Sequence, residues 1–281
     1  MLQVSEYTTP KLVTYHGVAM ALVKKYTKAK LKSAIIYKGK SRIDPSQNVT
    51  VSITGIQGNS KNKKTGNMAQ VSIMLSDIHP YEAIKTGADS AICGNCIFRG
   101  EWDVTLKKMV NRKCYVNLSH SPNATYKATD KGSYIELTIE EVGALIQYFN
   151  STRSQKDKIG IRLGEYGDPS AVDVSVWKRL LSASNTFNTA YTHQWNRSFF
   201  QPEFFEFGMA SIDDSLTVEM LRELHGSKPR AYRVAKDYET IKSDEIKCPS
   251  EKGKVVTCSQ CKLCSGYGRK GAKNIVIVEN D

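Results

Sequence analysis

From residue 158 onward, short apolar strands alternate with helical segments, and this alternation constrains the fold more than any other feature. Lys158–Gly164 reads as a strand, Ser170–Ser184 as a helix and Thr189–Trp195 as a strand. Arg197–Phe205 is a helical stretch broken by Pro202; Phe207–Ile212 is a strand, Ser215–His225 a helix and Arg230–Ala235 a strand. Asn274–Val278 reads as a final strand. Each crossover helix returns the chain to the same end, so the strands run mostly parallel. The βα units are too few to close an eight-fold barrel. The expectation is an α/β fold: a partial (β/α) barrel or an open, mostly parallel sheet, with cysteine-rich metal-binding loops and a basic N-terminal helix.

The N-terminal half reads differently. Thr9 as a cap, Pro10 at the first helical position and the apolar stretch from Leu12 to Val23 predict a helix over 8–32. Ser33–Tyr37, Val49–Ile56 and Met68–Leu75 read as strands from their β-branched content, and Pro80–Thr86 as a short helix. Residues 88–134 read as irregular. Ile139, Val142, Leu145, Ile146 and Phe149 fall at helical spacing within Thr138–Asn150. No apolar run approaches the ~18–20 residues of a membrane span. The opening MLQVSEYTTPKLV lacks the basic-then-apolar pattern of a signal peptide, so a cytoplasmic protein is expected. Residues 1–45 read as a basic helical segment and 46–281 as a single α/β domain.

Seven cysteines stand in two clusters. Cys93, Cys96 and Cys114 form the first; Cys248, Cys258, Cys261 and Cys264 form the second. An odd number in tight clusters, without a secretory leader, argues against a disulfide framework and for metal ligation. Two residues between thiols let one loop grip a metal while its backbone N–H groups point at the sulfurs. Four thiolates suit zinc or an iron–sulfur cluster; three leave one iron open. His120, six residues after Cys114, is a candidate to complete a zinc site in the first cluster. Buried, unligated thiols are the alternative reading.

Net charge is +12 and unevenly placed: residues 1–70 hold eleven lysines and Arg42 against Glu6 and Asp44. Such a region suits a polyanion, because Lys and Arg displace condensed counterions. Lys24, Lys25, Lys28, Lys61, Lys63 and Lys64 are the candidate nucleic-acid contacts, and a solvated basic face is the alternative. Polar residues collect where the strands stop, the usual site of function in parallel α/β folds. Glu165, His193 and Asp213 are the catalytic candidates there. Capping explains Asp168 better than catalysis, and the same explanation is open to the Asp213–Asp214 pair.

Several phrases resemble a family of cysteine-cluster proteins encoded by tailed bacteriophages: Lys64–Gln70 (KTGNMAQ), Cys93–Cys96 (CGNC), Cys114–Asn117 (CYVN), Arg162–Pro169 (RLGEYGDP), Tyr191–Trp195 (YTHQW), Met209–Asp213 (MASID) and Cys248-Pro followed by CSQCKLCSG. This resemblance covers roughly 48–281 and implies a host-cell cytoplasmic location. A looser similarity is to radical S-adenosylmethionine enzymes, which combine a cysteine triad with a partial barrel. Their triad is CxxxCxxC within one loop, whereas here the third cysteine follows the CxxC after seventeen residues. The resulting expectation is a phage-type iron–sulfur protein, an enzyme of the radical S-adenosylmethionine kind acting on nucleic acid or a nucleotide. The alternative is a non-catalytic nucleic-acid-binding protein with structural zinc.

Overall fold

The structure, a computed structural model, describes residues 9–58, 60, 62–212, 217–235, 241–251, 256–267 and 272–278. Helix α1 (Thr9–Lys25) stops short of the basic tail, which passes through turns and a single 3-10 turn, Lys30–Lys32. Lys24 and Lys28, and Lys28 and Lys32, would be stacked four residues apart in a continued helix, and like charges at that spacing are destabilising. Strands β1 (Ser33–Lys40), β2 (Asn48–Thr54) and β3 (Met68–Leu75) form an antiparallel meander.

Residues 88–134 hold more order than their sequence suggests. After α2 (Pro80–Thr86) come a one-turn helix α3 (Ser90–Cys93), a hairpin of β4 (Glu101–Asp103) and β5 (Lys108–Val110), and α4 (Ser121–Asp130). Strand β6 (Ile135–Glu136) then joins β1 in parallel. Helix α5 (Ile139–Asn150) opens on a capping box in which Thr138 and Glu141 satisfy each other's backbone N–H. Its buried residues Ile139, Val142, Leu145 and Ile146 each contribute roughly 1.5–3 kcal/mol.

Strand β7 (Gly160–Tyr166) begins the parallel part. The expected helix from Ser170 is a 3-10 turn, Pro169–Ala171, followed by α6 (Val174–Ser184), which Asp173 caps. The expected strand Thr189–Trp195 is two short strands, β8 (Asn188–Thr189) and β9 (Tyr191–Thr192), and the stretch at 197–205 is a 3-10 turn, Pro202–Glu206. Then come β10 (Met209–Ile212), α7 (Val218–His225), β11 (Ala231–Ala235), β12 (Glu245–Lys247), the single turn α8 (Cys258–Cys261) and β13 (Asn274–Val278).

One sheet has the order β6-β1-β2-β3-β7-β8 and the other β12-β13-β11-β10-β9, the second parallel throughout. Ala190 alone separates β8 from β9, so the chain steps from one sheet into the next within one residue. The fold is therefore mixed α/β with mostly parallel strands and no closed barrel; β6 and β8 edge one sheet, β12 and β9 the other. Parallel sheets are normally covered on both faces. On one face of the five-stranded sheet, Tyr191, Met209, Tyr232, Ile246 and Ile275 share a small apolar cluster with Cys248, Leu263 and Cys264. There the second cysteine segment takes the place of a helical layer.

Candidate metal centres

The site begins with a bulge. Gln70 pairs with Arg162 but Ser72 with Tyr166, so β7 carries extra residues against β3. Gly164 adopts φ 69° there, and a Cβ on it would lie 2.7 Å from Pro169 Cδ, which makes glycine the residue that fits. Glu165 accepts from the Ser72 hydroxyl at 2.9 Å. Half-buried Arg162 donates to the hydroxyl of Tyr115, whose ring is largely exposed.

The first cysteine group lies beyond the ends of β7 and β9. Cys93 ends α3, and the N–H of Cys96 donates to the Cys93 carbonyl at 3.3 Å. Cys114 is brought in by Phe98, whose carbonyl accepts from its N–H at 2.8 Å. Two anchors fix this loop to the sheet. The Asp168 N–H donates to Ile92 O at 2.6 Å, while the Asp168 carboxylate accepts from Ser170 N–H, the Thr192 hydroxyl and His193 N–H at 2.8–2.9 Å. Asp168 is thus the cap its sequence suggests and also a brace between two loops. Gln194 is the second anchor: its Nε2 donates to Cys93 O at 3.0 Å, and its Oε1 accepts from Asn95 N–H at 3.4 Å. His193 Nε2 stands 3.9 Å from Cys96 Sγ.

The second group is held by a loop distant in sequence. Cys248 N–H donates to Val276 O at 2.8 Å. Thr257 and Gln260 form a capping box around the Cys258–Cys261 turn. Cys258 N–H donates to Lys64 O at 2.9 Å, Ser259 N–H to Thr65 O at 3.0 Å and the Ser250 hydroxyl to Lys64 O at 3.1 Å. Arg230 donates to the carbonyls of Leu263, Gly266 and Lys273. All four thiols line one cavity of about 40 Å³, together with Lys64, Tyr191, Tyr232 and Ser250.

Burial dominates the thiol chemistry. It pushes Cys264 up to about 12, with the neighbouring thiols adding to the effect against a hydrogen bond from Tyr191. It also raises Cys248, Cys261 and, well above the ordinary thiol value, Cys93. Thiols so placed stay protonated at neutral pH, and a metal would bind by displacing their protons.

Among the described residues, no three His, Cys, Asp or Glu side chains stand close enough to hold an ion as they lie. The donor sets fit a thiolate-bound metal in their chemistry: four thiols around one cavity, and three thiols of which one, Cys96, has an imidazole 3.9 Å away. The Tyr166 hydroxyl, near Cys93 and Cys114, and Asp89 Oδ1 are buried without a hydrogen-bond partner among the described residues. Asp89 Oδ2 pairs with Arg99 at 3.1 Å.

Two of the three catalytic candidates are among the described residues. Glu165 faces Ser72, His193 faces Cys96, and Asp213 lies outside the described residues. Lys24, Lys25, Lys28 and Lys63 are exposed, and Lys61 lies outside the described residues. Lys64 lines the thiol cavity, and its loop clamps the second cysteine group through its backbone. Tyr191 and Tyr232, which line that cavity with rings 4.5 Å apart, escape sequence reasoning because they read as ordinary strand residues. Compared with protein-family models, curated proteins and solved structures, the chain matches none.

Proposed function

We propose that this chain is a metal-centre protein with two thiolate sites, iron–sulfur in kind, acting on a nucleotide or nucleic acid. The observation that carries the reading is the sorting of seven thiols into two groups with the Arg162–Tyr115 pair between them. Arg162 is near Cys258 on one side, and Tyr115 follows Cys114 on the other. Iron–sulfur clusters supply one-electron chemistry when bound. The chain's own residues do the rest. Arg162 presents a charged fork suited to a phosphate. Tyr115, 73% exposed, offers a ring face on which a base can stack. The exposed lysines 24, 25 and 28 extend the attraction for a polyanion. In this reading Arg162 and Tyr115 are the residues that meet the nucleotide.

The test is anaerobic purification, followed by iron, acid-labile sulfide and zinc analysis and an absorption spectrum. Iron with sulfide supports the reading. Zinc without iron moves it to the structural-zinc alternative, and a metal-free, correctly folded protein removes it. Binding of a single-stranded oligonucleotide should then weaken at least several-fold in Arg162→Met and fall steeply with salt.

A further inference from the structure

We infer that His193 is the fourth ligand of the first group, making it a three-cysteine, one-histidine site. The inference rests on the reading of Cys93, Cys96 and Cys114 as metal ligands. Bonds of about 2.3 Å to sulfur and 2.0–2.1 Å to nitrogen at a tetrahedral ion put two such ligand atoms about 3.6 Å apart. Cys96 Sγ and His193 Nε2 are 3.9 Å apart, so an ion is accommodated between them with an adjustment of a few tenths of an ångström.

The approach of these two residues is built, because three separate contacts lock their segments together. Gln194 bonds both the Cys93 carbonyl and the Asn95 N–H. Gly94, at φ 56°, lies so close to Gln194 that a Cβ on it would fall 2.1 Å from Oε1. Phe98 packs edge-on to the His193 ring at 5.7 Å, and its carbonyl accepts from the Cys114 N–H, so one residue touches both the histidine and the third cysteine's backbone. Asp168 fixes the His193 backbone from below.

The rival carboxylates are Asp89, whose Oδ2 pairs with Arg99 at 3.1 Å while Oδ1 is buried without a partner among the described residues, and Asp168. The two oxygens of Asp168 accept three hydrogen bonds. His120, the fourth ligand suggested by spacing, is exposed at the start of α4. A site closed by four protein ligands offers no open position to a small molecule. Two ligands 3.9 Å apart share one metal ion, whereas each iron of a four-iron cluster takes a single protein ligand, so this centre is a single-ion site with no cluster iron for S-adenosylmethionine, and substrate contact falls to Arg162 and its neighbours.

The test is metal retention, read without any activity. Wild type, His193→Gly, His120→Ala and Cys258→Ser/Cys261→Ser proteins are purified, checked for fold by circular dichroism, and challenged with a chelator series while bound metal is counted. In His193→Gly, one of the two centres should be lost at about 100-fold lower chelator concentration, and added imidazole should restore it. His120→Ala should match wild type. Unchanged retention in His193→Gly, or no response to imidazole, overturns the inference. Metal lost entirely with Cys258 and Cys261 also overturns it, but leaves the second centre standing. A wild type without metal overturns both this inference and the reading beneath it. Should His193→Gly not fold, His193→Cys loaded with Co²⁺ decides. A stronger sulfur-to-cobalt band than in Co²⁺-loaded wild type supports ligation, and an unchanged band overturns it.

Discussion

The side-chain amide of Gln194 donates to the carbonyl of Cys93 across 3.0 Å, tying a buried residue after β9 to the loop that carries the first two cysteines. The contact spans 101 residues of sequence. Replacing Gln194 by alanine removes one of the two bonds to half-buried Cys93 O and the bond from Asn95 N–H, and empties a fully buried side-chain site. The expected cost is about 2–3 kcal/mol in urea unfolding. A loss below about 0.5 kcal/mol would show that the amide does not anchor the loop.

Asp173 caps α6, accepting from Ser175 N–H and from Gln201 Nε2, each at 3.0 Å, and pairing with Arg42 at 3.1 Å. Asp173→Ala should cost about 1–2 kcal/mol at neutral pH. Chiefly the bond from Ser175 holds this carboxyl below its ordinary value of 3.8. The stabilisation is therefore present above that value and lost as pH falls through the lower folded-state value. Unfolding curves of variant and wild type should converge below pH 3.8.

Arg233 and Glu245 form a two-pronged ion pair, at 2.8 and 2.7 Å, that straddles β13. Burial pushes the Glu245 carboxyl up, but bonds from Arg233 and from the Lys242 N–H outweigh it and leave the group below its ordinary 4.5. Arg233→Met leaves the carboxylate unpaired inside the sheet, and the expected loss is about 3–5 kcal/mol near pH 7. The difference should shrink as pH falls below 4.5, where the wild-type pair is itself being lost. A pH-independent difference would mean that packing, not charge, sets the cost.

Removal of the metal proposed for the second group should loosen two distant segments together. The Lys64 and Thr65 carbonyls accept from Cys258 and Ser259 N–H. After chelation, hydrogen exchange should rise in step at 64–67 and 257–261, while α5 and β7 stay protected. Faster exchange confined to 257–261 would show that the clamp stands without the metal.

Much of the architecture is legible in the sequence wherever an element is long enough to show a period. Helix α5 and strands β3, β7, β10 and β13 announce themselves through apolar spacing or β-branched runs. Strands β6 and β12, of two and three residues, carry no period and go unread. The thiol groups are legible because CxxC spacing is local chemistry. Their supports are not. The bond from Asn67 N–H to the Ser259 hydroxyl spans 192 residues, and nothing in either segment names the other. Lys64 reads as a nucleic-acid contact from its charge, yet its backbone carbonyl also holds the cysteine turn, a role that side-chain identity does not signal.

Strand β13 is synthesised after β11 and β12 and yet lies between them. Spatial order and order of synthesis therefore disagree. Until β13 inserts, β11 and β12 have no common neighbour, Cys248 lacks the Val276 carbonyl that holds its N–H, and the Ala231 N–H lacks the Asn274 side chain that accepts from it. The backbone supports of the second thiol group are thus complete only once β13 is in place between its two neighbours.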